Sequence, residues 1–150
     1  MSETLALSEA GRIAQFMGLR RWNTINEVEL VEQVAKGLPT STLETIVKKV
    51  DPSGSLLDVF DLVPKATFYR RKEAKKPLTK DQSEMVFALS KVFSETIRLY
   101  SGDRELAAMF LAKKHPMLGG RSPIDVARES TAGADLVLTL LARAEAGVAV

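Results

Sequence analysis

The stretch SLLDVFDLVPKATFYRRKEAKKP, residues 55–77, holds two short helical patterns that meet around Leu62-Val63-Pro64. The first lies near 55–61 and carries Leu56, Leu57, Val59 and Phe60; the second spans 64–76 and is ended by Pro77. This is the layout of a helix-turn-helix, in which the second helix enters the major groove and presents its N-terminal residues to base edges. Here that helix offers Lys65, Thr67, Tyr69 and Arg70 near its start. Arg71, Lys72, Lys75 and Lys76 follow, placed to reach flanking phosphates, while Ala66 and Phe68 suit packing. Arginine and lysine bond guanine in the major groove, and threonine meets a base edge or a thymine methyl. Asp61 stands where many such motifs carry glycine, so a non-standard turn is expected. A solvated charged helix face is the alternative.

Charge distribution favours the first reading. The 150-residue chain has a net charge of only +2. Residues 1–64 hold 6 basic and 9 acidic groups, and residues 81–150 hold 8 and 9. Residues 65–80 hold 7 basic groups and 1 acidic one, a local +6 that exceeds the excess of the whole chain. Such a footprint is what nucleic-acid binding leaves. Cysteine is absent, which excludes a disulfide framework and thiolate metal sites, and a single histidine leaves little for a metal or a His-dependent triad. No metal and no cofactor are expected, and carboxylates spread over helix surfaces point away from an enzyme. No apolar run approaches a membrane helix and no signal-peptide pattern opens the chain, so a soluble cytoplasmic protein is expected, without membrane partners.

Outward from this stretch the chain reads as helix after helix. Asn26 with Glu29 predicts a helix start, and Gly37 with Pro39 a stop. Leu30, Val31, Val34 and Ala35 would form the apolar side of that helix. Ser41 and Glu44 read as a capping box before Leu43, Ile46, Val47 and Val50; Asp51-Pro52-Ser53-Gly54 ends that helix. Thr79 and Gln82 read as another box. The long helix after it carries Met85, Val86, Leu89, Phe93, Ile97 and Tyr100 on one stripe, a candidate for either a dimer interface or the core. Leu106, Phe110 and Leu111 mark the next helix, and Leu136, Val137, Leu140, Leu141 and Ala144 the last. Ile13, Phe16 and Met17 suggest one helix before residue 25, and Trp22 is expected to pack on the helices. No segment alternates with period two between hairpin turns, so the expected class is all-α.

HPMLGGRSP, residues 115–123, admits two readings: a phosphate cradle or a turn before a helix. Ser122 suits an N-cap, Pro123 the first helical turn and Asp125 the N3 position. The loop lacks the spacing of a P-loop or a dinucleotide fingerprint, and no strand precedes it. The turn reading is preferred.

VAKGLPTSTLETIVKKV (34–50), VPKATFYRRKEAKKPLTKDQSEMVFALSKVF (63–93) and HPMLGGRSPIDVARESTAGADLVLTLLARAEAG (115–147) together resemble the Xre/MbcA/ParS antitoxin family, over about residues 30–150. Pro64, Thr67, Phe68, Arg70 and Arg71 match the Pro-x-x-Thr-Leu-x-Arg-Arg recognition segment, with Phe for Leu. Leu118-Gly119-Gly120 with Pro123 match its Leu-Gly-Gly-x-x-Pro. Ser130 and Gly133 stand for Thr-x-x-Gly, and Arg143, Glu145 and Gly147 for Arg-Ile-Glu-x-Gly, with Ala144 replacing Ile. His115-Pro116 replaces the usual Asn-containing lead-in.

The resemblance implies an N-terminal Xre-like helix-turn-helix domain and a C-terminal helical toxin-binding domain. The expected division is an N-terminal extension over 1–25, a DNA-binding and dimerisation region over 26–100 and a toxin-binding domain over 101–150. It implies a type II antitoxin that neutralises a RES-domain, NAD-consuming toxin, binds double-stranded operator DNA and represses its own operon; a homodimer is expected because helix-turn-helix domains commonly read two half-sites about one DNA turn apart. The other reading is a free-standing helix-turn-helix regulator. Gly147 should stop the last helix and leave the apolar Val148-Ala149-Val150 beyond it. These four residues, with Arg143 and the turn Leu118, Gly119, Gly120 and Arg121, are the expected toxin contacts, placed at the entrance of the toxin's active site.

Overall fold

The computed structural model describes residues 7–147. Among them are nine α-helices and one 3-10 turn. The helices are α1 (Glu9–Phe16), α2 (Glu27–Lys36), α3 (Ser41–Val50), α4 (Val59–Leu62), α5 (Lys65–Glu73), α6 (Lys80–Leu99), α7 (Arg104–Ala112), α8 (Pro123–Glu129) and α9 (Thr131–Glu145). No strand occurs among the described residues, as the all-α expectation requires.

The central element is α6. Thr79 and Gln82 close the expected box, each side chain meeting the other residue's backbone N–H. Val86, Leu89, Val92 and Phe93 are buried on it, and α1, α2, α3, α7, α8 and α9 all pack against it. The stripe from Met85 to Tyr100 packs into this chain's own core: Leu89 and Phe93 are fully enclosed, and Met85, Ile97 and Tyr100 are half-buried at its edge. Two hydroxyls on buried faces of α6 are satisfied within the helix, Ser90 donating to the Val86 carbonyl and Thr96 to the Val92 carbonyl.

α1 belongs to the same core. Ala10, Ile13, Ala14 and Phe16 are buried, and the Phe16 ring meets Phe93 edge-on at 6.3 Å. Trp22 is half-buried against the core, as expected. Asn26 caps α2 through the Glu29 N–H. The apolar side of α2 is narrower than its sequence suggests: Leu30 and Val34 are buried, but Val31 and Ala35 face outward.

The box at Ser41 and Glu44 does not form. The chain already turns at Pro39-Thr40, where the Pro39 carbonyl accepts from the Thr42 N–H and hydroxyl. Ser41 is thus inside the helix, and Glu44 is free to pair with Lys72 at 3.0 Å.

Gly37 ends α2 at φ 114°, and a Cβ there would stand 2.5 Å from the Leu78 carbonyl oxygen. Leu78 in turn donates to the Leu38 carbonyl, and the Ser83 hydroxyl accepts from the Leu38 N–H. These bonds tie the linker after α5 to the end of α2, which sets how α5 leaves the core.

Candidate functional site

The basic stretch forms the expected pair of helices with altered bounds. The first, α4, is a single turn of 4 residues rather than the run 55–61. The reason lies in three aspartates. Asp51 accepts from the hydroxyls of Ser53 and Ser55 and from the amides of Ser53 and Leu56, which holds residues 51–56 in a folded loop. Asp58 then starts the helix by accepting from the Phe60 N–H, while Asp61 reaches back to the Asp58 N–H. Asp61 is therefore part of a cap. The Asp51 carboxyl is held below the usual carboxylate range, first by the Ser53 hydroxyl and then by its other donors.

α5 runs over Lys65–Glu73 and stops short of Pro77 because Lys75 takes a left-handed φ of 54°. Phe68 is the anchor, 3% exposed, and meets Phe60 and Tyr69 with ring centroids 6.1 and 5.5 Å away. Lys65 and Lys72 extend over the Phe60 and Phe68 rings at 5.8 and 5.7 Å. Lys65, Tyr69, Arg70, Lys72, Lys75 and Lys76 are exposed, and Thr67 is half-buried.

Arg71 differs from its neighbours. It is half-buried, its Nη1 donates to the Pro77 carbonyl at 2.8 Å, and its Nε is buried without a partner. Its guanidinium holds the α5–α6 linker.

The C-terminal segment resolves the Gly-Gly question. Leu118, 6% exposed, pins a 3-10 turn (Pro116–Leu118), and Gly119 and Gly120 follow with φ of 66° and 78°. The amides of Leu118, Gly119, Gly120 and Arg121 all donate to carbonyls inside the loop, and His115 pairs back with Arg121. These four amides are therefore not left to hold a phosphate. Ser122 caps α8 through the Asp125 N–H with Pro123 at the first position, as expected.

Arg121 pairs with Glu129 at 2.7 Å and also reaches the Asp125 carbonyl. Arg128 bridges Asp125 on α8 and Asp61 on α4, at 3.2 and 3.6 Å. Ser130 caps α9 through the Gly133 N–H, and Gly133 lies where a Cβ would stand 2.1 Å from the Val126 carbonyl oxygen.

The other members of the expected toxin-binding set are more scattered. Arg143 is exposed on α9, and Gly147 follows the helix at φ 81°. Val148, Ala149 and Val150 lie outside the described residues. Glu145 is engaged by Arg98 of α6 at 2.8 Å, which joins the ends of α6 and α9.

Beside that junction opens an apolar groove of about 610 Å³, with Tyr100, Leu106, Met109, Phe110, His115 and Ala144 in its wall and Lys113 at its rim. Sequence reading missed it. Leu106 and Phe110 were legible as one helix stripe, but Met109 was not read with them, and only the fold brings Ala144 opposite.

Among the described residues no three His, Asp or Glu side chains are grouped to hold a metal ion, and no helix is long and apolar enough to cross a membrane. What the surface offers is a basic helix, an ion-paired turn and an apolar groove. Residues 96–147 match the family model of the antitoxin Xre/MbcA/ParS C-terminal toxin-binding domain. Over those residues the chain is similar to the toxin-binding domain of that antitoxin family, in agreement with the resemblance drawn from the sequence. No curated protein matches the chain.

Proposed function

We propose that the chain is a type II antitoxin that neutralises a RES-domain, NAD-consuming toxin in the cytoplasm and represses its own operon as a DNA-bound homodimer. The observation that carries the reading is the toxin-binding family match over 96–147 on a chain whose basic excess is concentrated in residues 65–80, α5 and the linker that follows it. The two features lie on different elements of one core, so a single chain can hold toxin and operator together.

In the DNA-binding half, α5 is the recognition helix. Lys65, Tyr69 and Arg70 are the exposed candidates for base contact near its start, with Thr67 half-buried beside them. Lys72, Lys75 and Lys76 supply phosphate contacts, and Arg71 holds the linker. Two copies would read two half-sites about one DNA turn apart. In the other half, the proposed toxin contacts are Gly119, Gly120, Arg121, Arg143 and residues 147–150, with the buried Leu118 holding the turn in place.

The deciding experiment is to search the neighbouring reading frames for a RES-domain protein and co-express it with this chain. Growth should be rescued by this chain, the two should co-purify, and the complex should retard a DNA fragment from upstream of the pair. A chain that retards the fragment but neither rescues growth nor co-purifies would be a regulator without a toxin partner.

A further inference from the structure

The groove between α7 and the end of α9 is unexplained by the fold. Leu106 is 46% exposed and Met109 67%, one helical turn apart on the same face of α7. Large apolar side chains left in water around a concavity mark an interaction site. Leu136 and Met117, also exposed, do not line this groove.

The floor adds a second sign. His115 is 8% exposed and its ring stacks beside Phe110 at 5.0 Å, which in turn meets Tyr100 at 6.0 Å. Its Nε2 is buried with no hydrogen-bond partner. A buried polar atom without a partner is costly and uncommon in a finished core. The His115–Arg121 bridge fixes the backbone on which this ring stands. No acidic residue lines the groove, and Lys113 stands at its rim.

We infer that this groove is the docking site for the toxin, and that it takes a large apolar side chain of the toxin with a carboxylate beside it to meet Lys113. The inference rests on the antitoxin reading above. The occupant follows from position: every residue of the wall lies inside the 96–147 span that matches a toxin-binding domain. Methionine suits such a surface because its unbranched, polarizable chain adapts to a partner's shape. The far wall is set by the packing of α9 along α6, with Arg98 bridging Glu145 beside the groove.

The test uses the full chain and the RES-domain protein of the neighbouring frame as probe. The variants are Leu106→Gln/Met109→Gln and Met109→Glu. Both sites are exposed, so the variants should fold with unchanged circular dichroism and melting. Toxin binding should weaken by about 30-fold or more, the size expected of a central apolar contact, with retardation of the upstream DNA unchanged.

Wild-type affinity in both folded variants would overturn the groove while leaving the antitoxin reading intact. Failure of the wild-type chain itself to bind the toxin would overturn both. Conversion of a dimer to a monomer by the variants would identify the occupant as a second copy instead. Tighter toxin binding after removal of residues 148–150 would make it this chain's own C-terminus. Either result would overturn the proposal.

Discussion

Glycine at 133 and glycine at 120 answer to different physics, and the difference is measurable. Gly133 is helical, so alanine there should gain up to about 1 kcal/mol in helix propensity. A methyl group would nevertheless stand 2.1 Å from the Val126 carbonyl oxygen, and the obstacle is backbone that no rotamer change removes. Overpacking of that kind costs about 1–3 kcal/mol, so Gly133→Ala should lower the urea midpoint despite the propensity gain. At Gly120 a Cβ would meet nothing within 4 Å, but φ is 78°. Gly120→Ala should therefore lose only the left-handed preference, about 1–2 kcal/mol. The two arginines of the recognition segment separate in the same way. Arg70 is exposed, so Arg70→Ala should leave stability within about 0.5 kcal/mol and weaken operator binding by about 1–3 kcal/mol if it pairs with a base. Arg71→Ala frees the Pro77 carbonyl, so it should lower the melting temperature as well as affinity. Normal operator binding by both variants would remove α5 from the role of recognition helix.

Element by element, capping chemistry was the most legible part of the sequence. Asn26, Thr79 and Ser122 cap where a short polar side chain precedes an apolar run, because the bond they make is local. Ser41 failed as a cap for an equally physical reason: Pro39 had already begun the turn, and the carbonyl that organises it is backbone. The length of α4 was illegible because the loop before it is held by one carboxylate with hydroxyl and amide donors, Asp51, whose reach along the chain has no periodic signature. The exposed side of α2 depends on which neighbour lies opposite Leu30 and Val34, and that is settled only when α6 arrives. Asp51 also fixes a pH dependence. Its carboxyl titrates below the usual carboxylate range in the folded chain, so its contribution is present above the unfolded value and lost as pH falls through the lower, folded one. An NMR titration should therefore show Asp51 protonating below an ordinary aspartate. The amide signals of Ser53 and Leu56 should move in step with it. In Ser53→Ala the midpoint should rise toward the ordinary range.

At the scale of the whole molecule, the question is whether the two expected parts, residues 26–100 and residues 101–150, fold separately. Sequence composition shows no break between them, and the structure gives them a common post. α6 is buried between α1, α2 and α3 from one part and α7, α8 and α9 from the other. Phe93 illustrates the sharing: fully buried, it meets Phe16 edge-on, and its apolar neighbours continue into Val137 and Leu141 of the same core cluster. The surface is stitched across the same divide, with Arg128 of α8 reaching Asp61 of α4, although a bridge this exposed contributes less than about 1 kcal/mol. The continuous apolar core is thus the dominant coupling. Unfolding by urea should accordingly be a single transition. Trp22, the only tryptophan and half-buried near α1, reports the N-terminal part through its fluorescence, while far-ultraviolet circular dichroism reports every helix. The two curves should superimpose, as coincident probes do in a two-state reaction. Phe93→Ala should shift both midpoints together by an amount equivalent to about 3–5 kcal/mol. Fluorescence completing its change while substantial helix signal remains would show that the C-terminal part folds alone, and α6 would then be a connector rather than the post of one core.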